Sequence, residues 1–328
     1  MSIFLNPAAD RARVAPPSTA ARAFHEALDG YAPTPLRDLT PLGLSGVVLK
    51  DESQRLGLPA FKVLGVSWAV ERALAEHPAT HTLIAASAGN HGRAVAHVAR
   101  MRGLAARIYL PARSAPARRA AIAAEAAEVV VVDGGYEEAV AIAAAEGAKP
   151  GCLELADVGA SAAAHRVVDG YATLFAEIGD ALDTIVVPAG VGSLAAAAAR
   201  HGAAIGARVI AVEPETAACV TASLEAGEPV RIATPGTSMA GLDCAEVSIA
   251  AWPDLLHGLH STVTVSDAQA HAAMRELAAI GLRIGDCGAA PLAALRAGAP
   301  ATGRTVLIAT EGPTDPPAYA AVIGIKGS

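Results

Sequence analysis

The sequence predicts an α/β fold whose sheets are mostly parallel and flanked by helices. Two observations carry that prediction. Short β-branched runs alternate with longer alanine-rich segments of helical character over most of the 328 residues. Strands this short, separated by helices, make βαβ units and place neighbouring strands parallel. Hydrophobic residues also make up 53% of the chain and charged ones only 17%, so there is ample material for a buried core.

Taken in order, Pro33, Pro35 and Pro41 keep the chain extended ahead of the first expected strand, at residues 47–50. A helix is expected at Lys62–Glu76, then a strand at Thr82–Ala86 and a helix over 91–102. Strands at 107–110 and 129–132 follow, each leading into a helix, at 115–126 and 136–146. A helix over 163–178 precedes the strand at 184–187, the polyalanine helix at 193–201 and the strand at 208–212. From 227 to 253 the chain is irregular, broken by Pro229, Pro235, Gly236 and Gly241. A loop of that length in a compact domain is usually functional. A helix over 267–280 and a last strand at 305–310 complete the pattern.

The formal net charge of −7 argues against a general nucleic-acid binder, and the basic residues Arg113, Arg118 and Arg119 read as one solvated helix face. Cys152, Cys219, Cys244 and Cys287 are scattered, with neither C-x-x-C pairing nor zinc spacing. That fits reduced thiols in a cytoplasmic protein and no metal site. No apolar stretch is long enough and free enough of charge to span a bilayer, and the N-terminus does not read as a signal peptide.

Lysine is scarce: Lys50, Lys62, Lys149 and Lys326 are the only four. Lys62 sits in the largely apolar run Pro59-Ala60-Phe61-Lys62-Val63-Leu64-Gly65. A surface would accept arginine as readily, whereas chemistry that needs a primary amine able to lose its proton would not. The main use of such an amine is Schiff-base formation, above all with pyridoxal phosphate. The plain alternative is a lysine at a helix start that snorkels to solvent.

Ligands of open α/β sheets bind at the loops following the strands' carboxyl ends. Three such loops have unusual chemistry. Ser87-Ala88-Gly89-Asn90-His91-Gly92 opens a helix with free N–H groups, a hydroxyl and an amide, all suited to a carboxylate, though an Asn N-cap with a glycine turn would look the same. Pro188-Ala189-Gly190-Val191-Gly192-Ser193 is a glycine turn before a helix and suits a phosphate. Thr310-Glu311-Gly312-Pro313-Thr314-Asp315 is a polar cluster where the last strand should meet a cleft.

The order of Phe61-Lys62, Ser-Ala-Gly-Asn-His, the glycine turn and a closing hydroxyl residue resembles the fold-type II (tryptophan synthase β-like) family of pyridoxal phosphate enzymes. Within it, the diaminopropionate ammonia-lyases are most similar, through Lys50-Asp51-Glu52-Ser53-Gln54-Arg55, Gly89-Asn90-His91-Gly92-Arg93, Val212-Glu213-Pro214-Glu215, Met239-Ala240-Gly241-Leu242-Asp243-Cys244 and Thr310-Glu311-Gly312. There are two departures. Those lyases carry Asp before Gly-Asn-His-Gly, where this chain has Ala88, as in threonine and serine dehydratases. The chain also looks trimmed near residues 157–169.

The resemblance implies a two-lobed α/β enzyme with the cofactor in the cleft between lobes: a large domain from 1–84 and 161–328, and a small inserted domain at 85–160. It implies pyridoxal 5'-phosphate held as a Schiff base by Lys62, with Phe61 on the ring, Asn90 at the ring hydroxyl and Thr310 at the pyridine nitrogen. Gly190, Val191, Gly192 and Ser193 would bind its phosphate. Ser87, Ala88, Asn90 and His91 would hold the carboxylate of an amino-acid substrate, Lys62 would take the α-proton, and Asp157 is the expected second acid/base. A homodimer is also implied. The expected reaction is β-elimination to aminoacrylate, then keto acid and ammonia. A serine/threonine dehydratase-like lyase, a β-replacement synthase, a non-catalytic cofactor-binding protein and a nucleotide-binding Rossmann protein stand as alternatives. His165 and His201 read as helix-surface residues.

Overall fold

The computed structural model describes residues 2–156 and 158–324 and contains two sheets. The strands are β1 (Ile3–Leu5), β2 (Leu36–Asp38), β3 (Val47–Asp51), β4 (Thr82–Ala86), β5 (Ala105–Pro111), β6 (Glu128–Val132), β7 (Cys152–Glu154), β8 (Thr184–Pro188), β9 (Arg208–Pro214), β10 (Ser261–Val265) and β11 (Thr305–Ala309). The larger sheet runs β1-β10-β9-β8-β11-β3-β2 and the smaller β6-β5-β4-β7. Only the edge strands β1 and β2 pair antiparallel; every other pairing is parallel.

All seven expected strands are present. The strands missed are β1, β2, β7 and β10, of which three are only three residues long. Segments that short carry too little periodicity to be read from the sequence. The last strand stops at Ala309, so Thr310 is the first residue beyond it. The irregular segment is real from 227 to 251, but a short helix, Trp252–Gly258, begins one residue before its expected end.

The large sheet is covered on both faces, and its strands divide their side chains accordingly. Ile185, Val187, Val209, Ala211, Val306 and Ile308 enter one core, while Val186, Ile210, Val212, Leu307 and Ala309 enter the other. Strand side chains alternate between faces, so an unbroken apolar run serves two cores at once.

The helix Lys62–Glu76 crosses the helix Ala162–Ala176 at very close range. A Cβ at Gly65 would lie 2.6 Å from the Tyr171 ring, and one at Gly170 would lie 2.6 Å from the Leu64 carbonyl oxygen. Missing side chains on both helices therefore seat the segment that begins with Lys62. Beneath it, His25 reaches Thr173 Oγ1 at 2.7 Å through Nδ1 and donates from Nε2 to the Leu64 carbonyl at 3.0 Å.

Candidate active site

Lys62 is the first residue of its helix, and the preceding residues are strapped to the end of β11. Phe61 N–H donates to the Thr310 carbonyl at 3.2 Å, Gly312 N–H donates to the Pro59 carbonyl at 3.0 Å, and Ala60 pairs with Glu311 in an isolated antiparallel bridge. This strap brings Lys62 beside Thr310, some 250 residues later in the sequence. The Lys62 Nζ lies 5.8 Å from the Phe61 ring centroid, and that ring packs 4.8 Å from Tyr171.

Lys50, the other lysine in this region, has a different part. It is fully buried, 2.6 Å from Glu177, and Arg55 joins Glu177 at 2.7 Å and Glu52 at 2.6 Å. Burial pushes the Lys50 amine down while Glu177 opposes it. This is a closed charge network, with the lysine serving as structure.

Lys62 lines a cleft of about 920 Å³ whose walls come from both sheets. The loop after β4 contributes Ser87, Ala88, Gly89, Asn90 and His91. Gly89 N–H donates to Ser87 Oγ at 3.2 Å. A Cβ at Gly92 would lie 2.2 Å from the Ser87 carbonyl oxygen, so the turn into the helix Asn90–Met101 requires glycine there. The His91 ring is buried and donates from Nε2 to the Leu155 carbonyl at 2.7 Å, tying this loop to the segment after β7.

The loop after β8 contributes Gly190, Val191, Gly192 and Ser193. A Cβ at Gly190 would lie 2.9 Å from both Cys244 Sγ and the Gly241 carbonyl oxygen. Gly192 has φ +91° and opens the helix Ser193–Ile205. The irregular segment covers the mouth through Arg231, Thr234 and residues 240–246. Arg231 pairs there with Glu137 from the opposite wall and with Glu246 at 3.1 Å.

Two buried hydroxyls decide what this cleft fits. Among the described residues, Ser193 Oγ and Thr310 Oγ1 have no hydrogen-bond partner, and neither has Ser114 Oγ on the small-sheet wall of the same cleft. A buried hydroxyl left unpaired costs about 1–3 kcal/mol unless a ligand satisfies it. Ser193 stands at a helix N-terminus that favours an anion, and Thr310 offers a neutral donor and acceptor beside Lys62. A phosphate at one end and a ring nitrogen at the other would accept from these two hydroxyls, and an aldehyde would meet the Lys62 amine, which together are the groups that pyridoxal phosphate presents.

The profile of the pyridoxal-phosphate dependent enzyme family matches residues 27–311. The chain belongs to that family. This pyridoxal-phosphate dependent enzyme is 33% identical over 306 residues to diaminopropionate ammonia-lyase from Salmonella typhimurium, covering 78% of this chain and 74% of the relative. It is 31% identical over 251 residues to the biosynthetic L-threonine dehydratase of Escherichia coli, covering 74% of this chain and 48% of that one. The diaminopropionate ammonia-lyase of Escherichia coli superposes with a TM-score of 0.89 at 28% identity, over 98% of this chain and 96% of that one. That enzyme has been solved with an aminoacrylate-PLP azomethine reaction intermediate, and separately with D-serine. The cofactor of this enzyme is pyridoxal 5'-phosphate, and the cleft residues fit it.

Asp157 lies outside the described residues. His201 departs from expectation: it is buried, stacked on Phe175 at 6.0 Å, and burial pushes its imidazole pKa down. His165 is exposed, as expected. Glu213 is buried and accepts from Val220 N–H at 2.7 Å and Thr221 N–H at 2.9 Å, so it caps the helix Cys219–Ala226.

Sequence reasoning missed one group of cleft residues. Asp286 and Cys287, at the start of the helix Asp286–Arg296, converge on Glu311, their ligand atoms all within 4.8 Å of one another. Asn90 donates from Nδ2 to the Glu311 carboxylate. Glu311 was visible in the Thr310-Glu311-Gly312 run. Asp286 follows Gly285 in a segment with no β-branched run beside it, and its helix went unread.

Proposed function

We propose that this enzyme catalyses pyridoxal 5'-phosphate-dependent β-elimination on diaminopropionate or a closely related β-substituted alanine, giving a keto acid and ammonia. The observation that carries this is the convergence of Lys62, the 190–193 turn and two unpaired buried hydroxyls on one cleft. When bound, pyridoxal phosphate supplies the electron sink that makes the proton on Cα removable.

Lys62 would hold the cofactor aldehyde through Nζ, and the same amine, when free, would take the α-proton. Phe61 would pack on the pyridine ring, Asn90 would meet its hydroxyl, and Gly190, Val191, Gly192 and Ser193 would bind the phosphate. Thr310 would face the ring nitrogen. A hydroxyl there, unlike a carboxylate, does not keep that nitrogen protonated, which suits expulsion of a β-substituent better than transamination. Ser87, Ala88, Asn90 and His91 hold the substrate carboxylate. The His91 ring is engaged with Leu155, so its share falls to the backbone N–H.

The leaving group departs with the electrons of its bond to Cβ. An ammonium leaves as ammonia and needs no added proton, whereas hydroxide needs one. Asp157 is the proposed acid/base for that step. Ala88 supports a second reading, a serine/threonine dehydratase-like lyase, because the Ser-Ala-Gly-Asn-His pattern is the one those dehydratases share. A substrate panel separates the two by relative turnover, with the ammonia released per keto acid confirming which substrate was consumed. Diaminopropionate should release two ammonia per keto acid, and serine one. Faster turnover of serine or threonine would establish the dehydratase. Keto acid that forms only weakly until a thiol or amine is added would make it a β-replacement synthase.

The proposed division is a large lobe from 1–84 and 161–328 around a small one at 85–160, supported by two separate sheets. Strand β4 pairs along its whole length within the small sheet, so the first crossing point is better placed just before Thr82. The cytoplasmic, homodimeric state rests on family resemblance and on four free cysteines. No helix among the described residues is long and apolar enough to cross a membrane.

A further inference from the structure

Glu311 is 4% exposed and stands immediately after Thr310 on the wall that faces Lys62. Its surroundings are built closely around it. Gly285 N–H donates to the Glu311 carbonyl at 3.0 Å. A Cβ at Gly285 would lie 3.3 Å from both Glu311 Cγ and Oε1, and one at Gly288 would lie 3.1 Å from the Glu311 carbonyl oxygen. The helix Asp286–Arg296 thus presses its first turn onto Glu311, through two positions without side chains. That turn also carries Asp286, whose carboxyl lies within 4.8 Å of the Glu311 carboxyl and of Cys287 Sγ.

Two carboxyls that close, one buried and the other half-buried, repel when both are ionised, which favours a proton on the pair. The groups acting on it are few. Asp286 pushes Glu311 up, whereas the Cys287 thiol, the Asn90 amide and Arg118 on the helix Pro116–Ala123 pull it down. His271 and Arg118 act on Asp286 in the same downward sense, against burial. Burial dominates, and Glu311 is pushed up to about 7.

We propose that Glu311 is a positioning residue of this site: paired with Asp286, it holds a proton and so sets how the Asn90 side-chain amide is presented to the ligand in the cleft. The mechanism is hydrogen-bond bookkeeping at Asn90. An ionised Glu311 accepts one amide N–H, leaving one N–H and Oδ1 for the cleft. A protonated Glu311 donates to Oδ1 of a rotated amide and leaves both N–H groups free. The proton on Glu311 therefore changes the number of donors Asn90 offers. This inference rests on the reading that pyridoxal phosphate binds here with its ring hydroxyl at Asn90.

The test is a pH titration of the visible absorbance of the cofactor-loaded enzyme without substrate, with cofactor Kd measured in parallel. Wild type should show a spectral transition with a midpoint near 7. Asp286→Asn should move that midpoint down, because a like charge is removed. Glu311→Gln should abolish the transition and raise the Kd severalfold, and Glu311→Asp should restore a transition. A Glu311→Gln enzyme with the wild-type transition and Kd would overturn the proposal, as would an Asp286→Asn midpoint that does not move. The Asp286→Asn arm decides the matter if Glu311→Gln does not fold. Wild-type protein with no visible absorbance after incubation with pyridoxal phosphate would instead bring down the cofactor reading, and this inference with it.

Discussion

Two lysines show how burial and partners assign a residue its task. Lys50 is locked against Glu177, whereas Lys62 opens onto the cleft. Lys62→Ala should abolish turnover and the visible imine absorbance together and lower the melting temperature no further than that of cofactor-free wild type, which activity assays, spectra and calorimetry on one preparation would check. Lys50→Met should keep the absorbance but cost about 3 kcal/mol in a denaturant titration, the low end for breaking a buried ion pair, because Arg55 still neutralises Glu177. His25 supplies the pH dependence. Burial pushes its imidazole down from 6.5 to about 4, so the folded protein keeps it neutral while the unfolded chain protonates it more readily. Its contribution is complete above pH 6.5 and is lost as pH falls toward 4, roughly 3 kcal/mol in all. Unfolding free energies measured across that window should fall more steeply in wild type than in His25→Gln.

The elements were legible where their patterns were long. Every expected strand formed, because runs such as 184–187 and 208–212 are apolar on both faces and can only be buried. The helix Asp286–Arg296 was not legible, since Pro291 lies inside it and Gly288 near its start. The same gap hid Asp286 from the reading of the site. Lys62, the glycine turn and Thr310 were legible because each sits at a strand end or helix start, where local chemistry is written in neighbouring residues. The Asn90–Glu311 contact, between residues 221 apart, was not. Glycines at helix crossings were equally silent until their neighbours were known. Gly170→Ala would set a methyl against the Leu64 backbone and force the helix Lys62–Glu76 outward. We expect about 1–3 kcal/mol of destabilisation and a weaker cofactor Kd, measured by thermal melts and absorbance titration.

At the scale of the whole molecule, the cleft joins loops from two sheets, and the irregular 227–251 segment bridges its mouth. Arg231 and its partner Glu137 are both more than half exposed, so their ion pair adds little stability. Arg231→Ala should therefore leave the melting temperature unchanged while altering kcat/KM and weakening its dependence on salt, which steady-state assays at two ionic strengths would reveal. The bridge between residues 59–61 and 310–312 has a further consequence, which concerns time. Residues 310–312 follow Lys62 by about 250 residues, so the nascent polypeptide carries that amine through a long stretch of synthesis before the strap that seats it exists. A polypeptide truncated before β11 should therefore lack the wall beside Lys62 and stay colourless when offered the vitamin-derived aldehyde.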